Sequence, residues 1–174
     1  MICPYCQHEN IDGADNCENC LEDLHDLNLS AGRSPLETSL MEESLSALKI
    51  RKPVFIAPQA SVAEAVSLLS TSKAGCLLVG AAECVRGVFS ERDVLLRVAH
   101  EYEQVRGRPV AEFMTPDPVS LEADAALAFA LNRMAVGDFR QVPVTDQGRY
   151  VGIVAVTDVL GFLSEWYPDL FAPA

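Results

Sequence analysis

No run in this 174-residue chain approaches the roughly 18 consecutive apolar residues that a membrane-spanning helix needs. The opening MICPYCQHEN has neither the basic stretch nor the apolar stretch of a secretory leader, so the chain reads as soluble and cytoplasmic. Basic side chains are scarce: 13 Lys and Arg stand against 25 Asp and Glu, a formal net charge of -12. A phosphate backbone would meet net repulsion, which disfavours nucleic acid as the main partner. The 10 glycines form no phosphate-cradling loop, and no nucleophile stands beside a base. An enzyme is therefore not expected.

What the chain does contain is 49% hydrophobic residues, enough for the core of one ordinary domain plus a small appendage. It also contains an internal repeat. A shift of 65 positions, from Asp93 to Asp158, aligns residues 53–95 on 118–160 without a gap. Pro53/Pro118, Ala60/Ala125, Val79/Val144, Gly87/Gly152 and Asp93/Asp158 are identical pairs. A duplicated unit that cannot bury its own apolar face predicts two copies packed as a pseudo-twofold pair.

Within each copy the patterning predicts strand, helix, strand, strand, helix. In the first copy these fall at Val54 to Ile56, Ser61 to Ser70, Cys76 to Val79, Val85 to Ser90 and Glu91 to Glu103. In the second they begin near Val119, Ala126, Gln141, Val151 and Val156. Ahead of them, SPLE reads as a helix start with Ser34 as N-cap and Pro35 at the first position. Leu36, Leu40, Met41, Leu45 and Leu48 follow at helical spacing, a face expected to pack on the first repeat or on a second subunit.

At the N-terminus, Cys3 and Cys6 form one CxxC and Cys17 and Cys20 a second. Each pair suits a tight knuckle, and two knuckles complete a tetrahedral S-ligand site for structural Zn²⁺. Two disulfides or a redox dithiol are the alternative. A segment this short has too little apolar surface to fold alone, so bound metal would be its core. The pattern resembles the zinc ribbon family, although Gln7 and Leu21 stand where glycine is usual. A closed four-cysteine shell leaves no site for a water nucleophile. Asp12, Asp15, Glu18, Glu22 and Asp23 make the segment acidic and favour an unidentified protein partner. His8, His25 and His100 receive no role, and Cys76 and Cys84 read as small buried residues.

The repeat itself resembles a tandem pair of CBS domains, the Bateman module. The resemblance rests on VFIAPQASVAEAV, FMTPDPVSL, RQVPV and the hydroxyl-x-x-Asp stretch in GVFSERD. It implies an α/β (α+β) fold of two β-α-β-β-α units. It also implies two clefts for an adenosyl nucleotide such as AMP, ADP or ATP, a regulatory role, and a homodimer. Carried over by position, Asp93 and Asp158 would accept hydrogen bonds from ribose hydroxyls. The Asp158 cleft would add Val119, Phe139, Arg140 and Thr157, with Phe139 against adenine and Arg140 on phosphate. The Asp93 cleft would add Val54, Ala74, Gly75, Ser90 and Arg92.

The expected organisation is a zinc ribbon at 1–24, a linker and helix at 25–52, and repeats at 53–105 and 106–174. The same residues admit a plainer reading, because Ser90 and Asp93 also form a helix capping box that needs no ligand. Ala155 replaces Ser90 in the second copy, so the two clefts should differ. A dimerising adaptor with empty clefts is the rival function.

Overall fold

The computed structural model describes residues 1–3, 5–11, 14–22, 24 and 35–168. The Ser34 cap, Asp12, Asp23, His25, Gly32 and Phe171 lie outside the described residues. The chain runs through α1 (Pro35–Glu42), β1 (Phe55–Ile56), α2 (Val62–Ser72), β2 (Cys76–Ala81) and β3 (Cys84–Ser90). Next come α3 (Glu91–Asp93), a π turn at Val94–Val98, a 3-10 turn at Ala99–Glu101 and α4 (Tyr102–Val105). The second copy holds β4 (Thr115–Pro116), β5 (Leu121–Glu122), α5 (Leu127–Gly137), β6 (Gln141–Asp146), β7 (Arg149–Ala155) and α6 (Val156–Trp166). This is the expected order twice over, with one added strand, β4.

Two sheets result, β1-β2-β3-β4 and β5-β6-β7. In both, the first strand pairs parallel and the hairpin antiparallel. Both hairpins slip register at the same place, Val79/Gly80 and Val144/Thr145. The helix after β3 departs from expectation, because it is broken by the π turn while its counterpart α6 is continuous.

The segments that lead into each copy cross to the other one. Leu45 N donates to Ala125 O and Ser46 N to Ala123 O, both at 2.9 Å. At matching positions Val110 N donates to Ala60 O at 2.8 Å and Ala111 N to Pro58 O at 3.2 Å. Leu45 is consequently buried in the core with Leu127, Val144 and Val159, and Val110 in the core with Val62, Val79 and Phe89. The strands follow suit. β4 pairs with β3, while Arg51 exchanges both backbone hydrogen bonds with Ile153 on β7. A Cβ at Gly87 would lie 2.5 Å from Met114 Sδ, and one at Gly152 1.9 Å from Ile50 Cγ2. That close approach explains why both copies carry glycine there.

This exchange also explains where the first helix stops. α1 ends at Glu42, and Leu45 and Leu48 belong to a separate turn, because Glu43 O is used to accept Leu127 N at 2.9 Å. The α5 N-cap is Ala126, which has no side-chain acceptor, so an orphan N–H of its first turn is met by the crossing backbone. Leu36 and Leu40 pack on the second-repeat core, so α1 covers the second repeat and not the first. Tyr167 packs there too, whereas Trp166 is exposed and meets the Phe162 ring at 5.9 Å. Cys76 is buried as expected, but Cys84 is exposed on β3.

The crossing makes a specific demand on Leu45. Leu45→Ala should lower unfolding free energy by about 2–5 kcal/mol in a denaturant titration, because it empties a fully buried site that two segments share.

Candidate functional site

The four N-terminal sulfurs converge. Their ligand atoms all lie within 4.8 Å of one another, with Cys3 to Cys20 at 3.6 Å and Cys6 to Cys17 at 3.5 Å. A tetrahedron with metal–sulfur bonds of about 2.3 Å has edges of about 3.8 Å, so the donor set fits a single tetrahedral ion. The knuckles are built alike. Gln7 N donates to Cys3 O and Leu21 N to Cys17 O, while Cys3 N donates to His8 O and Cys17 N to Glu22 O. Gln7 and Leu21 take φ values of 60° and 61°, the left-handed conformation that glycine supplies without strain. His8 is exposed and outside the sulfur cluster.

Backbone and side-chain donors point at the sulfurs. Tyr5 N donates to Cys3 Sγ at 3.4 Å, and the buried Asn10 amide to Cys17 Sγ at 3.5 Å. Desolvation raises the Cys17 thiol, but N–H donors from Cys20, Asn19 and Asn10 prevail and bring it to about 6. Such donors favour thiolate at Cys17, the form that binds metal, whereas at Cys20 the Glu22 N–H is outweighed by burial and by hydrogen bonds from the Cys6, Cys17 and Cys3 thiols, which push it up to about 12.

The two repeat carboxylates sit at equivalent helix starts. Asp93 is buried; its Oδ2 accepts Ser90 N at 2.9 Å and Ser90 Oγ at 2.6 Å, and Asp93 N donates to Ser90 Oγ at 3.3 Å. Its Oδ1 accepts Thr115 Oγ1 at 3.0 Å, with Arg97 Nη1 at 3.6 Å. Asp158 Oδ2 accepts Ala155 N at 2.7 Å. Its Oδ1 accepts Arg51 Nη2 at 2.7 Å and Arg51 Nε at 3.1 Å, and the same Nη2 donates to Thr157 Oγ1 at 2.9 Å. Thr115 and Arg51 were not foreseen from sequence. Both stand on crossing segments, and only the strand exchange brings them to these carboxylates. The signal available was the similar place of the two segments ahead of Pro53 and Pro118.

The backbone of each turn keeps to its own repeat, while side chains cross between the two. Glu91 N donates to Gly75 O and Val156 N to Arg140 O, so each turn meets the helix start of its own repeat. Arg92, however, reaches across to Asp138 in the second-repeat turn at 2.7 Å and holds that carboxyl below its usual range. A Cβ at Gly75 would lie 2.0 Å from Gln141 Nε2, so the first turn abuts β6. Phe139 rests on Gly137 and packs on the second core, Val54 on the first. Val119 and Arg140 are exposed, and Ala74 is half-buried. Charges from the surroundings of both carboxylates meet at Cys76: burial first, then Asp93, push its thiol up to about 12, with Arg51 pulling the other way.

Capping differs between the copies and gives a direct test. Ser90→Ala should cost about 1 kcal/mol in thermal unfolding by removing the cap at α3, whereas Ala155→Ser should gain up to a similar amount at α6.

The comparisons agree with this architecture. A CBS domain model matches residues 45–100 and 110–165. CBS domain-containing protein CBSCBSPB1 of Arabidopsis thaliana is 25% identical over 134 residues, 76% of this chain, and this chain spans 25% of that protein's length. The crystal structure of the CBS-domain containing protein ATU1752 from Agrobacterium tumefaciens is 32% identical with a TM-score of 0.60, over 64% of this chain and 90% of that one. CBSX2, solved in complex with AMP, is 25% identical with a TM-score of 0.60, over 71% of this chain and 97% of that one. With both matched segments falling on the strand-exchanged copies, the chain belongs to the CBS-domain family and carries a tandem pair of these domains.

Proposed function

We propose that this protein is a regulatory ligand sensor in which the CBS pair binds an adenosyl nucleotide. In this reading the four-cysteine module holds structural Zn²⁺ and engages a protein partner. The carrying observation is the pair of carboxylates at equivalent helix starts, in a chain similar to a protein solved with AMP. A carboxylate offers only acceptors, which suits the vicinal hydroxyls of ribose. Regulation instead of catalysis is what the family resemblance implies. Homodimerisation is supported by Leu95 and Leu160, equivalent residues of the two copies that are 71% and 47% exposed.

The test is calorimetric titration of the intact protein with AMP. Wild-type protein should bind one or two AMP per chain, and Asp93→Asn and Asp158→Asn should each weaken its own site at least tenfold with the fold unchanged by circular dichroism. Binding that survives both substitutions removes the assigned clefts.

A second reading is favoured by a specific observation: both oxygens of each carboxylate already accept hydrogen bonds from the chain itself. On that reading the repeats are a dimerising adaptor, and the titration shows no heat with AMP, ADP or ATP.

For the N-terminal module, native mass spectrometry should show one zinc per chain, lost in Cys17→Ser. Leu21→Gly should slow metal loss to a chelator, because it relieves on the order of 1 kcal/mol of left-handed strain beside Cys20. Acidification should release the ion as the thiolates protonate.

A further inference from the structure

The cation that touches Asp158 comes from the crossing segment. Arg51 Nη2 and Nε share Asp158 Oδ1, and Nη2 also holds Thr157 Oγ1, while Ala155 N occupies Oδ2. At Asp93 the crossing segment supplies the neutral Thr115 hydroxyl instead. Arg97, the cation near Asp93, is tied to the Phe113 and Met114 carbonyls at 3.2 and 2.7 Å. The two clefts therefore present different chemistry to a ligand.

We propose that Arg51 makes the Asp158 cleft selective for phosphorylated adenosine over the neutral nucleoside and over adenosyl compounds bearing a sulfonium. The inference rests on the nucleotide reading above and specifies its ligand class. A ribose diol reaches Asp158 only by displacing the guanidinium from Oδ1. A nucleoside leaves that displaced cation without a partner. A nucleotide brings a phosphate, whose oxygens match the planar fork of Arg and replace the lost carboxylate contacts. A sulfonium adds positive charge beside the released guanidinium and is disfavoured.

The backbone geometry allows this exchange. Both backbone hydrogen bonds between Arg51 and Ile153, at 3.1 and 3.0 Å, anchor the residue on β7, while its side chain is 41% exposed. The fork can swing from carboxylate to phosphate without moving the strand. Thr157, beside the same guanidinium, offers a hydroxyl in place of the one missing at Ala155.

The experiment titrates wild-type and Arg51→Gln full-length protein with AMP and with adenosine, and repeats both in an Asp158→Asn background. Arg51→Gln should cut the preference for AMP over adenosine on the order of ten- to a hundredfold, with adenosine binding unchanged or tighter. In the Asp158→Asn background Arg51→Gln should still weaken AMP, because the phosphate contact does not depend on the carboxylate, but should leave adenosine binding unchanged, because no ion pair remains to be displaced. Arg51→Lys, which keeps the charge and loses the fork, should retain part of the preference and serves if Arg51→Gln does not fold. If wild-type protein binds AMP and the preference is the same in Arg51→Gln, the role of Arg51 is overturned while the nucleotide reading stands. If neither protein binds either compound, the nucleotide reading falls and this inference falls with it.

Discussion

Leu45 and Val110 each close the core of the copy they do not introduce. Each is fully buried, and burying a side chain of this kind contributes about 1.5–3 kcal/mol. More depends on them than that figure. The backbone around Leu45 supplies the acceptor for Leu127 N at the start of α5, and the backbone around Val110 receives the same duty toward Val62 through Arg108 O. Neither repeat is complete without the segment that precedes the other, which is why two copies are needed to make one body.

The exchange also sets the chemistry of the clefts. Gly87 and Gly152 leave room for the crossing strands, and those strands carry Thr115 to Asp93 and Arg51 to Asp158. One carboxylate is thus buried among hydroxyls and backbone donors with the Arg97 guanidinium 3.6 Å away, and the other is hydrogen-bonded directly to a guanidinium that solvent reaches. Two residues identical in sequence stand in unlike electrostatic surroundings because the crossing segments offer them different partners: Arg51 aligns with Pro116, and Thr115 with Ile50.

The N-terminal module follows different physics. Its buried cluster among the described residues is Cys3, Cys17 and Leu24, far too little apolar area to hold a fold by itself. What orders it is the convergence of sulfurs and the donors aimed at them. Gln7 and Leu21 adopt the left-handed turn that the knuckle requires even though neither is glycine. A side chain at these two positions costs conformational energy that glycine would not.

Much was legible from residues alone. Periodicity 2 and 3.6 located the strands and helices, and the offset between Asp93 and Asp158 disclosed the duplication. The CxxC spacing brought Cys3, Cys6, Cys17 and Cys20 together because knuckle geometry is local. The same local logic found Ser90 with Asp93. It failed where contacts span the chain. The break after Glu42 answers a missing cap at Ala126, the face of α1 is taken by the second repeat, and Arg92 pairs with Asp138 of the other copy. Sequence determined the repeat, the sulfur cluster and the two carboxylates, because each is written in short-range pattern. Only the tertiary structure decided which copy each leading segment joins, and hence that Arg51 meets Asp158. That contact depends on a strand exchange that no short window of residues encodes.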